Sequence, residues 1–372
     1  MDVAVVGAGP AGSFCAWRLA RAGQRVTLYD PSHPREKPCG GGVTPGAFAR
    51  WPELEELRAA GRPAHAVRMV APRGGEVSVA LARPIEIFSR RVLDSLLLEC
   101  ARKAGAELRP ARVRRVATDA EGVTLELDGE RARHDFAVGA DGASSVVRRS
   151  LVGERPGGPA SYATAGFHVF GLPERDLVVE FSADFAGYLW VFPRPDHASV
   201  GIAAPVGRAN GSELRARVQE LLARRYPGSE SLAREPYAAS IPVGAGPIAG
   251  RRFALVGDAA NANDAITGEG IQHALDSGGL LADALSEVGA ERAPALYTER
   301  WRAGPGGELA ACARLARRLY RPRAVDLAVA LASRSRRARR LMADMLIASQ
   351  PYRGLGRRML GDLAALPAFG RA

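Results

Sequence analysis

The chain has little cysteine, and its cysteines form no cluster. There is no CxxC pair, and no histidine stands at a metal-ligand spacing from any of them. The four residues are Cys15, Cys39, Cys100 and Cys312. Their spacing excludes the usual zinc and iron–sulfur motifs, so no metal site is predicted. A disulfide framework is not expected in so large a chain, and a reducing compartment is the default.

Long hydrophobic runs are absent as well. The longest runs, such as VDLAVALA at residues 325–332, are far shorter than the roughly 20 residues that a membrane-spanning helix needs. No basic stretch, apolar stretch or cleavage site precedes residues 2–12 (DVAVVGAGPAG), so we expect no targeting signal. These absences predict a cytoplasmic protein.

Lysine is almost missing, because Lys37 and Lys103 are the only two, although the formal net charge is +11. Arginine supplies the remaining positive charge and, with abundant alanine, is typical of GC-rich coding. No recognition motif accompanies the charge, so a nucleic-acid partner is not predicted. Arginines do cluster at residues 314–323 and 333–360, interleaved with Leu, Met and Ile. This pattern suits docking on an anionic bilayer at the inner face of the membrane, and it also suits a solvated helical cap.

Glycine, in contrast, follows a regular pattern near the start. Residues 7–12 (GAGPAG) fit G-x-G-x-x-G between a predicted strand, residues 2–6, and a predicted helix, residues 13–23. A second predicted strand, residues 25–30, completes a βαβ unit and ends in an acidic residue. The glycines allow a tight turn, the approach of a pyrophosphate and close helix–strand packing, and the acidic side chain can bind a ribose. The predicted dinucleotide-binding residues are Gly7, Gly9, Pro10, Ala11, Gly12 and Asp30.

Three further motifs identify the dinucleotide as FAD. Residues 253–278 resemble the second FAD fingerprint of the p-hydroxybenzoate-hydroxylase-like flavoproteins. Residues 140–151 (ADGASSVVRRSL) match the DGxxSxVR pattern of that superfamily, and residues 89–94 (SRRVLD) match its R-x-x-[FL]-D helix entry. The resemblance implies that Asp258 binds the ribityl and pyrophosphate portion, and that a helix N-terminus at 268–271 faces the flavin and favours its anionic reduced form. It adds these expected cofactor contacts: Arg90, Asp141, Gly142, Asp258, Gly268, Gly270 and Ile271.

The middle of the chain changes character. Residues 67–82 and 162–204 are rich in β-branched and aromatic residues broken by turns, as in an antiparallel sheet. We therefore expect an α/β protein with a Rossmann-like FAD-binding domain, a mostly antiparallel β-sheet substrate domain and a C-terminal helical region. The predicted FAD-binding domain comprises residues 1–50, 84–155 and 238–292, the substrate domain residues 51–83 and 156–237, and the helical region residues 293–372.

Two motifs resemble the geranylgeranyl reductase family within that superfamily. Residues 37–43 (KPCGGGV) match its Pro-Cys-Gly loop, and residues 187–193 (GYLWVFP) match the Y-x-W-x-F-P stretch of its substrate sheet. One departure concerns the second fingerprint, where Ala265 stands in place of the family's usual proline after Asp264. The matching positions are Pro38, Cys39, Gly40, Tyr188, Trp190, Phe192 and Pro193.

The resemblance implies a reductase that saturates carbon–carbon double bonds in a polyprenyl lipid or quinone tail. An isolated alkene is not electrophilic, so a proton must accompany or precede the hydride, and positive charge develops on carbon. The ring faces of Tyr188 and Trp190 would stabilise that charge by about 0.5–2 kcal/mol each, although both also fit as sheet-core aromatics. Cys39 is the predicted catalytic thiol and, with Gly40, a flavin neighbour; a packing thiol is the alternative. Cys39 and bound water are both candidate proton donors.

Other chemistries share this fold and these fingerprints. A flavin monooxygenase or halogenase is the first alternative, although the halogenase pattern W-x-W-x-I-P is only partly matched here. A flavoprotein that relays electrons to a quinone is the second. The expected reductant is NADPH, bound transiently, or an electron-donor protein, since no nicotinamide domain is evident. His168, His197 and His273 are expected to be structural or surface residues.

Overall fold

A computed structural model of the protein describes residues 1–158, 161–347 and 351–355. Part of the arginine-rich stretch 333–360 therefore lies outside the described residues. The strands, in chain order, are β1 (Asp2–Val6), β2 (Arg25–Tyr29), β3 (Gly42–Val43), β4 (Arg62–Val70), β5 (Glu76–Ile87), β6 (Glu107–Arg109), β7 (Arg115–Thr118), β8 (Val123–Glu126), β9 (Arg131–His134), β10 (Phe136–Gly139), β11 (Tyr162–Val169), β12 (Leu177–Phe181), β13 (Tyr188–Pro193), β14 (Ala198–Pro205), β15 (Arg234–Ile241), β16 (Ala249–Gly250) and β17 (Phe253–Leu255). The helices are α1 (Pro10–Arg21), α2 (Pro45–Arg50), α3 (Arg90–Lys103), α4 (Val146–Leu151), α5 (Gly211–Arg225), α6 (Ile271–Ala303, with a break at Gly289), α7 (Pro305–Leu319), α8 (Pro322–Arg334) and α9 (Arg336–Leu346).

The first sheet is the mostly parallel sheet of a Rossmann-like unit. Its order is β16-β17-β10-β1-β2-β6, and only the edge pair β16–β17 is antiparallel. The predicted fold class is confirmed here, with α1 beginning at Pro10 because proline suits the first turn of a helix. The loops after β1, β2, β10 and β17 leave the carboxyl edge of this sheet, where open α/β sheets bind their ligands.

The second sheet is mostly antiparallel, as predicted, in the order β15-β11-β14-β13-β12-β4-β5-β3. One pair, β4 with β12, is parallel. Side chains alternate along β13: Leu189 and Val191 pack against α5, whereas Tyr188, Trp190 and Phe192 point to the opposite face. We call that opposite face the aromatic face of β13.

The two sheets draw on neighbouring parts of the chain. β3 belongs to the second sheet although it lies within the predicted FAD-binding segment 1–50, and β5 continues past the predicted boundary at residue 84. A third sheet of β7, β8 and β9 lies between β6 and β10 in the chain. The domain boundaries themselves stay a prediction.

Helices α8 and α9 cover one part of the second sheet. Val325 and Val329 of α8 join a buried cluster with the side chains of β4 and β5, and Met342 and Leu346 of α9 lie against the same cluster. Two of the apolar residues that alternate with arginine in α9 therefore pack against the second sheet of the protein itself. Within residues 1–158, 161–347 and 351–355, no helix combines the length and the apolar character that crossing a membrane requires.

Candidate functional site

The glycine loop after β1 leaves room for a ligand at one position and is tightly packed at two others. A Cβ on Gly7, whose φ is +105°, would lie 2.3 Å from the carbonyl oxygen of Ala140, and one on Gly12 would lie 1.9 Å from that of Gly7. A Cβ on Gly9 would meet only the His33 ring, at 3.8 Å. Gly9 is also the N-cap of α1, and no side chain of the described residues caps that helix. Open space at an uncapped helix N-terminus fits the pyrophosphate of FAD.

Asp30, at the end of β2, fixes the glycine loop from within the protein. Its carboxylate accepts the Ala8 N–H at 2.9 Å and the Ser32 N–H at 2.8 Å, and it contacts the His33 ring Nδ1 at 2.7 Å. Burial alone would raise the pKa of Asp30, but the hydrogen bonds from His33 and the backbone hold it below its usual range. The Ser32 hydroxyl and the His33 N–H also donate to it, at 3.2 and 2.9 Å. Because a carboxylate offers only about four acceptor positions, the predicted ribose contact would require one of these donors to move.

A buried chain of charges continues behind Asp30. The second ring nitrogen of His33 lies 3.3 Å from Asp94, and Arg90 forms a bidentate pair with Asp94 at 2.9 and 3.0 Å. Burial would lower the pKa of His33, but the two carboxylates raise it above its ordinary value. Two of the three guanidinium nitrogens of Arg90 therefore bind Asp94, and the contact of Arg90 with the cofactor stays a prediction. The i,i+4 spacing of Arg90 and Asp94 is the signal that could have revealed this pair.

The second fingerprint packs directly against the first. A Cβ on Gly257 would lie 3.0 Å from the Cβ of Ala11, and one on Gly278 would lie 2.5 Å from the Ala11 carbonyl oxygen. Asp258 follows in a 3₁₀ turn and accepts a hydrogen bond from the Asn263 side chain at 3.0 Å. Gly257, the residue before Asp258, thus lies against the first turn of α1, and contact of Asp258 with the cofactor stays a prediction.

The DGxxSxVR motif joins the two fingerprints. Asp141 accepts the Val147 N–H at 3.2 Å at the start of α4, and burial raises the pKa of its carboxyl. Arg148, which is 1% exposed, donates to the carbonyl oxygens of Pro247 at 3.2 Å and Ala259 at 3.1 Å. These contacts give the motif a structural role, and direct contact of Asp141 and Gly142 with the cofactor stays a prediction.

The loop that carries Cys39 is pressed against the second sheet. A Cβ on Gly40 would lie 2.5 Å from the ring of Phe192, and one on Gly41, whose φ is +82°, would lie 2.1 Å from a carbonyl oxygen just after β5. Glycine is therefore required here by neighbouring protein, a reason that the sequence did not reveal. Cys39 is half-buried, and its Sγ accepts the Gly41 N–H at 3.3 Å.

Arg194, directly after β13, binds the same loop by hydrogen bonds. The sequence did not predict this residue. Its fully buried guanidinium donates to the Glu36 carboxylate and to the Cys39 carbonyl oxygen, and it lies 3.0 Å from a ring nitrogen of His197. Glu36 also accepts the Ser89 hydroxyl at 2.7 Å. Burial would raise the pKa of Glu36, but Arg194 and these donors lower it to about 2.

The three histidines singled out in the sequence are all buried. His168, His197 and His273 are 5%, 7% and 8% exposed, so of the two expected roles, structural or surface residues, the burial leaves the structural one. Possible ligand atoms of Glu36, His168 and His197 lie within 4.8 Å of one another. Arg194 contacts two of these three, Glu36 and His197, so its positive charge already neutralises the Glu36 carboxylate. Burial lowers the pKa of His168 to about 4.

Tyr188 and Trp190 lie side by side on the aromatic face of β13, with ring centroids 6.0 Å apart. Trp190 is buried, and its Nε1–H donates to a serine hydroxyl of β14 at 3.2 Å. The Tyr188 hydroxyl donates to the Thr267 carbonyl oxygen at 3.0 Å. A Cβ on Gly268 would lie 2.2 Å from that hydroxyl. The aromatic face therefore reaches from the loop of Cys39, through the Phe192 contact, to the second fingerprint.

Glu269 was not predicted as a site residue. It lies between Gly268 and Gly270, two residues before Ile271 begins α6, and its carboxylate accepts the Gln272 N–H at 2.7 Å. Burial, helped by two neighbouring carboxylates, raises the pKa of Glu269 to about 7. A carboxyl that titrates near neutral pH can hold or release a proton. No sequence signal distinguishes this residue, because an acidic residue at a helix start is ordinarily a partner of the helix dipole.

Known proteins resemble the chain over most of its length. The sequence profile of the family described as FAD binding domain matches residues 1–301. Geranylgeranyl diphosphate reductase of Synechocystis sp. is 30% identical over 320 residues, which are 77% of this chain and 75% of that protein. Menaquinone reductase of Mycobacterium tuberculosis is 31% identical over 334 residues, which are 82% of this chain and 81% of that protein.

Two solved structures share the fold. A geranylgeranyl bacteriochlorophyll reductase-like protein from Thermoplasma acidophilum gives a TM-score of 0.79 at 22% identity, over 92% of this chain and 95% of that one. A flavin-dependent brominase gives 0.76 at 19% identity, over 98% of this chain and 99% of that one. The fold alone therefore does not distinguish a reductase from a halogenase. By its sequence relatives, the chain belongs to the geranylgeranyl reductase family of FAD-dependent oxidoreductases.

Proposed function

We propose that the protein saturates carbon–carbon double bonds in the prenyl chain of a lipid or quinone. The observation that carries the proposal is the aromatic face of β13, which touches the Cys39 loop through Gly40 and the second fingerprint through Gly268. An apolar wall between these two loops suits an isoprenoid chain, which offers no polar group to bind. The names of the relatives, a geranylgeranyl diphosphate reductase and a menaquinone reductase, support the same substrate class.

The chain has three tasks in this reaction: to hold the alkene, to exclude water and to deliver a proton. FAD, when bound and reduced, supplies the hydride. Tyr188 and Trp190 present ring faces that stabilise the developing positive charge by about 0.5–2 kcal/mol each. Their polar atoms are engaged by the Thr267 carbonyl and by Ser199, which fixes the orientation of both rings.

Cys39 and Glu269 are the proposed proton donors. Cys39 is next in the chain to Gly40, which contacts one end of the aromatic face. Glu269 is next to Gly268, which contacts the other end. Tyr188 is poorly suited, because burial raises the pKa of its hydroxyl above the ordinary value and its proton points to a backbone carbonyl. The electrons come from NADPH or from an electron-donor protein, and a chemical reductant can replace either in vitro.

Product mass tests the reaction. Protein loaded with FAD and chemically reduced is incubated with a geranylgeranyl lipid or a menaquinone, and we expect the product to gain two hydrogens for each double bond reduced. A gain of oxygen or halogen under air would indicate a monooxygenase or halogenase instead. A reduced quinone ring with an unchanged prenyl chain would indicate an electron relay.

Cys39→Ala is the variant arm of the same experiment. We expect turnover to fall at least tenfold, since general acids contribute about 10²–10⁴-fold, while the FAD dissociation constant changes less than about twofold. Cys39→Ser keeps the size of the side chain but replaces the thiol with a much weaker acid, so it is the control that separates lost packing from lost acidity. Full activity of Cys39→Ala would remove the thiol from the mechanism, and loss of folding would make it a packing residue.

We propose, further, that exposed arginines of α8 and α9 dock the protein on anionic bilayers. Arg334, Arg336 and Arg340 are exposed, and Leu327 of α8 is 60% exposed. Arg339 is not included, because its guanidinium donates to two carbonyl oxygens at the end of α8. Each basic group near an anionic surface contributes about 1 kcal/mol.

Changing Arg334, Arg336 and Arg340 to Gln is therefore expected to weaken binding to phosphatidylglycerol vesicles roughly 100-fold at low salt. Binding of the wild type should fade as salt shortens the screening length from about 30 Å to about 8 Å. Little should remain at high salt, because Met342 and Leu346 pack on the sheet. Vesicle flotation measures this, with Arg112, Arg114 and Arg115 changed to Gln as the charge-matched control. Equal flotation of the two triple variants would contradict docking by this face.

A further inference from the structure

The loop of residues 264–268 has three consecutive carbonyl groups, and each accepts a tyrosine hydroxyl. Tyr162 of β11 donates to the Ala265 carbonyl oxygen at 3.2 Å, and Tyr188 of β13 donates to that of Thr267 at 3.0 Å. The carbonyl between them, that of Ile266, accepts the hydroxyl of Tyr320, which directly follows α7. Two strands of the substrate sheet and the C-terminal helical region therefore meet on one short loop.

The first residue of the loop, Asp264, is held in the same way. It is 4% exposed, and one carboxylate oxygen accepts the N–H groups of Ile266 at 2.7 Å and Thr267 at 2.8 Å. The Cys312 thiol of α7 donates to that oxygen at 3.1 Å, and the Tyr352 hydroxyl donates to the other at 2.7 Å. The C-terminal region thus supplies three of the donors that fix this loop: Tyr320, Cys312 and Tyr352.

Ring packing adds to these hydrogen bonds. The rings of Tyr320 and Tyr188 are nearly parallel, with 10° between their planes and 6.5 Å between centroids, and Phe181 packs against both. Burial raises the pKa values of both hydroxyls above their ordinary range, so they remain donors throughout the working pH range.

We infer that Tyr320 is a positioning residue for the FAD site, and that the C-terminal helical region is a structural part of that site. The loop lies within the second FAD fingerprint, immediately before the helix α6. With its carbonyls and its Asp264 carboxylate all engaged, the loop has one conformation, and the start of α6 is fixed with it. The inference rests on the proposed assignment of residues 264–268 to the FAD site but not on the identity of the prenyl substrate.

Tyr320→Phe tests the inference, because it keeps the ring and removes only the hydroxyl. We expect the FAD dissociation constant to rise about fivefold, the usual consequence of losing one buried hydrogen bond, and the visible flavin spectrum to change. Flavin fluorescence titration of the apoprotein and absorbance of the loaded protein are the measurements. Tyr226→Phe is the control, since that half-buried hydroxyl donates to Glu174 at 2.7 Å, away from the loop. It should lower the melting temperature without changing either flavin readout.

A second pair of variants separates the two parts of the inference. If Tyr188→Phe weakens FAD and Tyr320→Phe does not, the loop belongs to the FAD site but the C-terminal region does not position it, and the inference is overturned. If neither variant changes the flavin readouts, the assignment of the loop is wrong. Cys312→Ser keeps a donor to Asp264 and should bind FAD as the wild type does, whereas Cys312→Ala should bind it more weakly. Prenyl reduction by the wild type is measured separately, so its failure would not affect these outcomes.

Discussion

Gly9→Ala is expected to fold like the wild type and to bind FAD about 10- to 100-fold more weakly, since an unwanted methyl group costs about 1–3 kcal/mol. The new Cβ meets no protein atom nearer than His33, at 3.8 Å, and the backbone at Gly9 has φ −71° and ψ −178°, which alanine adopts freely. The methyl group would occupy the space that the predicted pyrophosphate needs. Fluorescence titration with FAD and a thermal melt of the apoprotein measure the two effects separately.

Gly12→Ala is the contrasting variant. Its Cβ would lie 1.9 Å from the Gly7 carbonyl oxygen, so α1 must move away from β1 and the apoprotein itself should be destabilised. If Gly9→Ala lost stability to the same degree, the loop would be a packing feature with no space for a ligand. If it bound FAD normally, the pyrophosphate would lie elsewhere.

Arg194→Met is expected to lower the free energy of unfolding by about 3 kcal/mol at pH 7. Breaking a buried ion pair costs about 3–5 kcal/mol, because the remaining charge loses its partner. The lower end of this range of free energies applies, since the Glu36 side chain is 15% exposed although Arg194 is fully buried. Glu36→Gln combined with Arg194→Met removes both charges and should recover part of the loss. Urea unfolding at saturating FAD gives the free energies of unfolding of the wild type, of Arg194→Met and of the double variant.

The pH dependence of this difference identifies its cause. Because the folded-state pKa of Glu36 is lowered to about 2, its contribution is fully present above the unfolded value of about 4.3 and is lost as pH falls toward 2. The wild type and Arg194→Met should therefore approach each other in stability below about pH 4. A difference under about 1 kcal/mol that does not vary with pH would mean that solvent screens the pair. Alkylation of Cys39 should also become faster in Arg194→Met, because Arg194 holds the carbonyl of that residue.

The Rossmann-like half of the fold was predictable because each of its signals is local. A buried strand, a glycine turn and a helix start lie within about a dozen residues. Gly7 and Gly12 have the close contacts that a tight turn and helix–strand packing need, and the pyrophosphate at Gly9 stays a prediction. The aromatic face of β13 was also visible, since alternation along a strand assigns Tyr188 and Trp190 to one side.

The remaining parts of the site depend on contacts between residues far apart in the chain. Arg194 and Glu36 are separated by 158 positions, and Tyr320 and Ile266 by 54, so no spacing rule connects them. Helix α9 shows a different limit. Its amphipathic pattern indicates that one face has an apolar partner, but a protein sheet and a bilayer satisfy the same pattern. The structure assigns Met342 and Leu346 to the sheet.

The donors on residues 264–268 also set an order of events during biosynthesis. The first glycine turn leaves the ribosome well before the loop is supported, because the hydroxyls of Tyr320 and Tyr352 come from residues made much later. At about 5–20 residues per second, the interval between Gly7 and Tyr352 is roughly 20–70 s. A nascent chain would therefore present half of a nucleotide pocket for much of its synthesis. Stable capture of the cofactor should therefore wait until Tyr352 has been made.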